Sequence, residues 1–455
     1  MSRSPRGPLG TLPYYRPRDT AASEPSVWRL APEGLAPWAV AAFLRHALLP
    51  WESLFQDVDR VPEVLPRVAR EAVSPEAAGR LPSTTPAHPE KDRLTGAPAH
   101  PFEDEDRLAE QLLSALAGTV GPHVAAGARD VSLSGGVDSA ALCALAAREA
   151  PGQVRAWTMD VHFADAVERS NARTMARVAC VELVDVPVPD AVLPDLFEAA
   201  VLSNETPLIN ARAVASFAFY AEARRHGATV MLSGAGADEV LLGNPEALAG
   251  ARARVEEDRR LAHEVLPVGN LGTPAPYAPP WALAPEEADR SEELRYAAWV
   301  LRELVLPPEL KGARAHGLTV HTPYLDPGFA SRALALPVSL LVREGGGKWL
   351  FRHAVRSLVP DEVRLARKTP RYAHTALSSP VRERWLELYR AWLSPSKLEP
   401  LEVIDSGAVL TLLDRYTRLS PDAPAASGMD RLLMRLVSLA MLHAHCRARP
   451  PCPES

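Results

Sequence analysis

The run Ser134-Gly135-Gly136-Val137-Asp138-Ser139 sets two hydroxyls, two glycines and a carboxylate between an apolar strand, Val131 to Leu133, and a helix-forming stretch. Glycine lets the backbone turn sharply and approach a ligand without side-chain obstruction. The Ser134 and Ser139 hydroxyls, the loop N–H groups and the positive end of the next helix together make an anion nest. It lies at the carboxyl end of a strand, where open α/β sheets bind ligands. Asp138 alone repels phosphate; its presence makes sense if it holds a Mg2+ that bridges phosphate oxygens. The G-x-x-x-x-G-K-[ST] phosphate loop occurs nowhere in the chain. The plain alternative is a strand-to-helix turn with glycine for geometry and a capping side chain.

A second loop of the same kind, Leu232-Ser233-Gly234-Ala235-Gly236-Ala237-Asp238-Glu239, follows the apolar stretch Thr229 to Leu232. Asp138 and Asp238 are then expected to face each other across one cleft as two Mg2+ ligands.

Such loops need strands and helices in alternation. DVSLSGG precedes VDSAALCALAAREA, VRAWTMDV precedes AVERSNARTMARVA, ELVDVPV precedes a helix near Pro194 to Leu202, and ATVMLSG runs into a turn. That order predicts βαβ units and a parallel sheet, an α/β fold. Met1 to about Arg60 reads as a few short strands and one helix around Trp38 to Leu49. The stretch from Ser74 to Pro101, rich in Pro, Ser, Thr and Ala, reads as a linker. Pro245 to about Arg290 shows no clear period and reads as an insertion, and the remainder to His445 as mostly helical.

Bulk properties narrow the classes. The chain has 455 residues, 47% hydrophobic and 23% charged, as in ordinary globular proteins. A net charge of -6 gives no basic field for a nucleic-acid backbone. Four cysteines show no zinc spacing; Cys143 and Cys180 are expected in a reduced core, while Cys446 and Cys452 lie in a Pro/Arg-rich tail as candidate exposed thiols. Neither a signal peptide nor a membrane span is apparent, so the expected place is the cytoplasm, with no membrane or nucleic-acid partner.

With both loops in view, the chain resembles the synthetase domain of glutamine-dependent asparagine synthetases, within the ATP pyrophosphatase (PP-loop) superfamily. That family pairs S-G-G-x-D-S with a later L-S-G-x-G-[SA]-D-E. Thr322-Pro323-Tyr324-Leu325-Asp326 is similar to its V-P-F-L-D, and Gly347-Lys348, then Arg367-Lys368, to its closing K-x-x-L-R…RxK stretch. The resemblance implies a twisted parallel sheet with helices on both faces (adenine nucleotide alpha hydrolase-like), a helical C-terminal part and a truncated glutaminase-like remnant. The implied divisions are 1–73 remnant, 74–100 linker, 101–448 synthetase-like domain and 449–455 tail. It further implies ATP and Mg2+, with Leu133, Met159, Ser233 and Gly234 around the adenosine. Ser134, Gly135, Gly136, Asp138 and Ser139 would hold the pyrophosphate, Asp138 and Asp238 the Mg2+, and Lys368, with Lys348 as second candidate, would be the catalytic cation.

Two departures bear on the reaction. No cysteine precedes Cys143, so the nucleophile of the family's glutaminase domain has no counterpart. Most of that domain is expected to be missing, or the start assigned too far downstream. The family's Glu or Tyr in the second loop is Ala235 here, which can neither take nor give a proton; Glu205, in Asn204-Glu205-Thr206-Pro207, is the remaining acid. Three readings follow. The first is an asparagine-synthetase-type ligase joining a small carboxylate to an amine, with ammonia from solution or a separate glutaminase. The second is a lasso-type cyclase closing a macrolactam in a precursor peptide, to which Ala313-Arg314-Ala315-His316-Gly317 is similar. The third is a non-catalytic nucleotide-binding relative.

Overall fold

Short apolar runs ending in glycine or serine give strands that stop where a ligand-facing loop must begin. In the computed structural model, which describes residues 12–18, 20, 22–46, 48, 52–61, 101–244, 250–267, 292–367 and 374–448, two such runs pair side by side within one five-stranded parallel sheet. The strands preceding it are β1 (Tyr14–Pro17) and β2 (Val58–Val61), an antiparallel pair with Tyr14 opposite Val61, and between them lies helix α1 (Pro37–Leu44). Helix α2 (Pro101–Ala125) leads into β3 (Asp130–Ser132), α3 (Val137–Glu149), β4 (Arg155–Asp160), α4 (Ala166–Val178), β5 (Glu182–Pro187), α5 (Leu193–Asn204), α6 (Ala211–Arg225) and β6 (Val230–Leu232). Then come α7 (Ala251–Val265), α8 (Glu292–Val300), α9 (Leu306–Ala315), β7 (Thr319–His321) and α10 (Pro327–Leu334). A two-residue hairpin, β8 (Val342–Arg343) with β9 (Gly346–Gly347), precedes α11 (Trp349–Ala354), and α12 (Arg382–Trp392), α13 (Ser406–Thr417) and α14 (Ala426–Ala448) close the chain.

The sheet order is β5-β4-β3-β6-β7, every pair parallel, with Val131 opposite Leu232 at the centre. The chain winds outward from β3 through β4 to β5, then returns to place β6 on the other side of β3. That reversal opens a crevice at the carboxyl ends of β3 and β6, the usual ligand position in such sheets. The expected α/β fold is what forms, with helices packed around the sheet. Helix α3 is Ala-rich and buried over nearly its whole length, as a helix apolar on all sides must be. Helix α14 likewise buries Leu432, Leu433, Leu436, Val437 and Leu439. Each such Leu or Val contributes about 1.5–3 kcal/mol relative to an exposed position.

Several expectations need correction. The fifth strand, β7, is a regular sheet member in a region read as helical. Residues 251–265, inside the supposed insertion, are helix α7, which packs on α14. Cys180 is exposed, in a left-handed turn (φ 54°) just after α4, and Cys446 is buried because α14 continues past it. Cys143 is buried. The first helix ends at Leu44, since His46 adopts a left-handed conformation (φ 55°). The linker 74–100, the tail 449–455, Cys452 and Lys368 lie outside the described residues. Tyr15, Val27, Leu44 and Phe55 belong to the same continuous buried core as the sheet and α14. Among the described residues, no helix is long and apolar enough to cross a membrane.

Candidate active site

The first loop is closed by its own hydrogen bonds. The Ser134 N–H donates to Ser139 Oγ (3.1 Å), and Ser139 Oγ donates to the Gly136 carbonyl (3.0 Å). Ser139 is only 3% exposed, and its hydroxyl proton shapes the loop; the exposed Ser134 hydroxyl lies 3.2 Å from Ser139 Oγ at the loop surface. Gly135 has φ +87°, and a Cβ there would fall 1.8 Å from the Glu168 carbonyl oxygen on α4. No other residue fits. The result is a preformed curl of N–H groups on the first turn of α3, suited to phosphate oxygens.

The second loop packs directly on the first. A Cβ on Gly234 would lie 3.3 Å from both Asp138 Cβ and the Ser139 nitrogen. The Ser233 N–H donates to the His321 carbonyl at the end of β7 (2.8 Å), which ties the loop to the fifth strand. The T-P-Y-L-D run then braces both loops. Buried Tyr324 donates its hydroxyl to the Asp138 carbonyl (2.9 Å), and Leu325 fills the space beside Gly236 (φ +89°), where a Cβ would sit 2.4 Å from the leucine.

Lys348 enters between the loops. Its Nζ pairs with Asp138 Oδ2 and lies 2.7 Å from Asp238 Oδ1, and the residue is 3% exposed. It takes a left-handed conformation (φ 62°) between β9 and α11. Glycines make the room: a Cβ on Gly243 would lie 2.0 Å from Asp238 Oδ1 and 2.2 Å from Lys348 Cε, and one on Gly347 2.1 Å from the Leu242 carbonyl. The segment is held from outside by a stack. The Arg343 guanidinium sits 3.5 Å over Trp349, whose ring is within 4° of parallel to His353. Glu105 on α2 binds Arg343, and its neighbour Asp106 binds His353 (2.6 Å) and Arg356 (3.0 Å).

The expected residues therefore divide. Ser134, Gly135, Gly136, Asp138, Ser139, Ser233, Gly234, Asp238 and Lys348 come together at the crevice. Leu133 and half-buried Met159 lie at the ends of adjacent strands, but the Leu133 side chain is wholly inside the core, so only its backbone can face a nucleotide. Glu205 stands apart. It sits in a left-handed turn after α5 (φ 59°), and its carboxylate is bound by Lys311 (2.8 Å), the Ser26 hydroxyl and the Val27 N–H (3.2 Å). Those partners tie the N-terminal segment to α9 rather than to either loop.

One residue escaped the sequence reading. Burial pushes the Glu239 carboxyl above its ordinary range, against the pull of nearby Lys348, with the Asp138 charge adding to the rise and Arg212 opposing it. The acid following Asp238 in the loop is the only sequence signal it leaves.

The donors suit Mg2+. Asp138 Oδ1 is buried without a hydrogen-bond partner. Among the described residues no set of three or more His, Cys, Asp or Glu side chains is placed to hold a metal alone. Mg2+ is commonly held by one or two carboxylates with substrate phosphates supplying the rest.

No curated protein matches the chain. The family model described as asparagine synthase matches residues 111–444, well over half of the chain, and spans both loops, T-P-Y-L-D and Lys348. The match supports an ATP-dependent ligase that forms amide bonds. The chain belongs to the asparagine synthase family.

Proposed function

We propose that the protein adenylates a small carboxylic acid, aspartate or a related one, and passes the acyl group to an amine. The observation that carries this reading is the meeting of Asp138 and Asp238 on one cation beside the preformed anion nest. A substrate carboxylate oxygen attacks the α-phosphorus of ATP, the bond to the bridging oxygen breaks, and pyrophosphate leaves. The amine then attacks the acyl carbon and AMP departs. The Ser134 hydroxyl and the loop N–H groups bind the pyrophosphate portion, and Asp138 and Asp238 hold Mg2+. When bound, Mg2+ offsets charge on the departing pyrophosphate. Lys348, and Lys368 by its likeness to the family's lysine, supply positive charge where the transition state gathers negative charge. Ala235 takes no proton and Glu205 is engaged by Lys311, so the proton that the amine sheds as the amide forms passes to solvent or to the departing AMP.

The test is to supply Mg-ATP with a panel of carboxylates, aspartate first, and follow pyrophosphate and AMP with and without ammonium. Acid-dependent AMP formation is expected, falling about 10²- to 10³-fold in Asp138→Ala, the range seen when one electrostatic stabiliser is removed. AMP formed with an Asp- or Glu-bearing peptide and with no small acid moves the reading to a macrolactam cyclase. Nucleotide binding without any turnover moves it to a non-catalytic relative.

A further inference from the structure

The Lys348 ammonium uses the same carboxylates that a divalent ion needs. It pairs with Asp138 Oδ2 and sits 2.7 Å from Asp238 Oδ1. Mg2+ requires oxygens at about 2.0–2.1 Å, so an ion held by both aspartates stands against the ammonium with no anion between them. Two cations at that separation repel, and an ammonium, having no lone pair, cannot join the coordination sphere. Three carboxylates, Asp138, Asp238 and Glu239, act on the Lys348 ammonium, with Arg352 acting on Asp138 and Arg212 on Glu239.

The backbone of Lys348 is pinned. Its carbonyl accepts the Arg352 N–H (2.8 Å), β9 pairs with β8, and Trp349 is held in the Arg343–His353 stack. The side chain is not. Its stem crosses Gly243, which has no Cβ to trap it, and a lysine stem turns freely about four carbons. We propose that Lys348 and a divalent ion are alternative occupants of the Asp138–Asp238 pair, and that metal entry swings the Lys348 ammonium out toward the phosphate nest on α3. The exchange deepens the ligase reading by linking metal and nucleotide: the lysine released by one is delivered to the other. Before exchange it keeps two facing carboxylates from repelling each other.

The measurement needs only the native protein. It is treated briefly with an amine-acetylating reagent in NaCl or in MgCl2 of equal ionic strength, and each lysine is read by mass spectrometry. Lys348, 3% exposed, is expected to label slowly in NaCl and several-fold faster in MgCl2, while Lys311, paired with Glu205, keeps its rate. Labelling of Lys348 that is unchanged or slowed by MgCl2 overturns the proposal. A second arm titrates Mn2+ alone, read by the paramagnetic resonance of the free ion. Lys348→Met is expected to bind Mn2+ more tightly than wild type, within the about 5- to 150-fold usual for coupled sites. Equal affinity, or binding by neither protein, overturns it. Neither arm depends on turnover. Adenylation without metal-dependent labelling leaves the ligase and removes the exchange; metal-dependent labelling without adenylation does the reverse.

Discussion

Gly243 lacks a side chain at the point where Asp238 and Lys348 meet, and that absence sets the geometry of the cleft. An alanine there meets Asp238 Oδ1 at 2.0 Å and Lys348 Cε at 2.2 Å, with no charge altered. Gly243→Ala is expected to dislodge Lys348 and slow pyrophosphate release about tenfold or more. Its stability loss should stay within the about 1–3 kcal/mol of ordinary overpacking, which a thermal melt checks. Such a residue is invisible in the sequence because Lys348, one of the two side chains it makes room for, comes from a segment about a hundred positions later. The glycines of the first loop were legible because strand, turn and helix are contiguous there. The setting of Glu205 is hidden in the same way, since its partners in space, Lys311 and Ser26, lie far from it in sequence.

At the scale of elements, the hairpin β8–β9 and α11 form a mount for Lys348, braced on α2. Its central part is Trp349, between Arg343 and His353, with Glu105 and Asp106 binding the two outer members. A cation over an aromatic face is worth about 0.5–2 kcal/mol. Trp349→Leu is expected to raise KM for ATP several-fold with a modest fall in Tm, and Trp349→Phe to restore most of the affinity; steady-state kinetics alongside melting checks both. Four of the five sheet strands were legible as apolar runs before turns. The fifth, β7, is Thr-Val-His, too short and polar to show a period, and only pairing with β6 makes it a strand. In α7 the buried positions Val255, Asp258, Leu261, Ala262 and Val265 do follow helical spacing. They were obscured by the Pro-rich stretch after them and by many Arg and Glu on the other face.

Across the whole molecule, polar groups buried far from the cleft hold the layers together. Lys311 joins Tyr15 (3.2 Å) and Glu205, Arg60 meets Glu303 (2.7 Å), and His46 meets Asp258 (3.1 Å), so the N-terminal segment is fastened by specific bonds as well as by apolar packing. Asp430 on α14 accepts from Tyr416 (2.6 Å), Tyr389 (2.9 Å) and the Ala376 N–H (3.3 Å). Burial pushes its carboxyl up to about 6, against the lowering effect of those donors. The unfolded chain releases this proton near pH 4 and the folded protein near 6. Stability from this group is thus greatest in acid and declines as pH rises between those values, by on the order of 3 kcal/mol. Asp430→Asn lacks that titration; melts from pH 4 to 7 should show the variant gaining on wild type as pH rises. None of this was legible in the sequence, since the carboxylate and its donors come from four separate segments. The adjacency of β3 and β6 has a further consequence, in the order of synthesis. The ribosome delivers the first loop at residue 134, its partner loop about a hundred residues later and Lys348 another hundred after that. Loop closure over such distances is slow to nucleate. β3 can pair with β4 early, but its other edge stays open until β6 is made, and the cleft is among the last parts of the protein to exist.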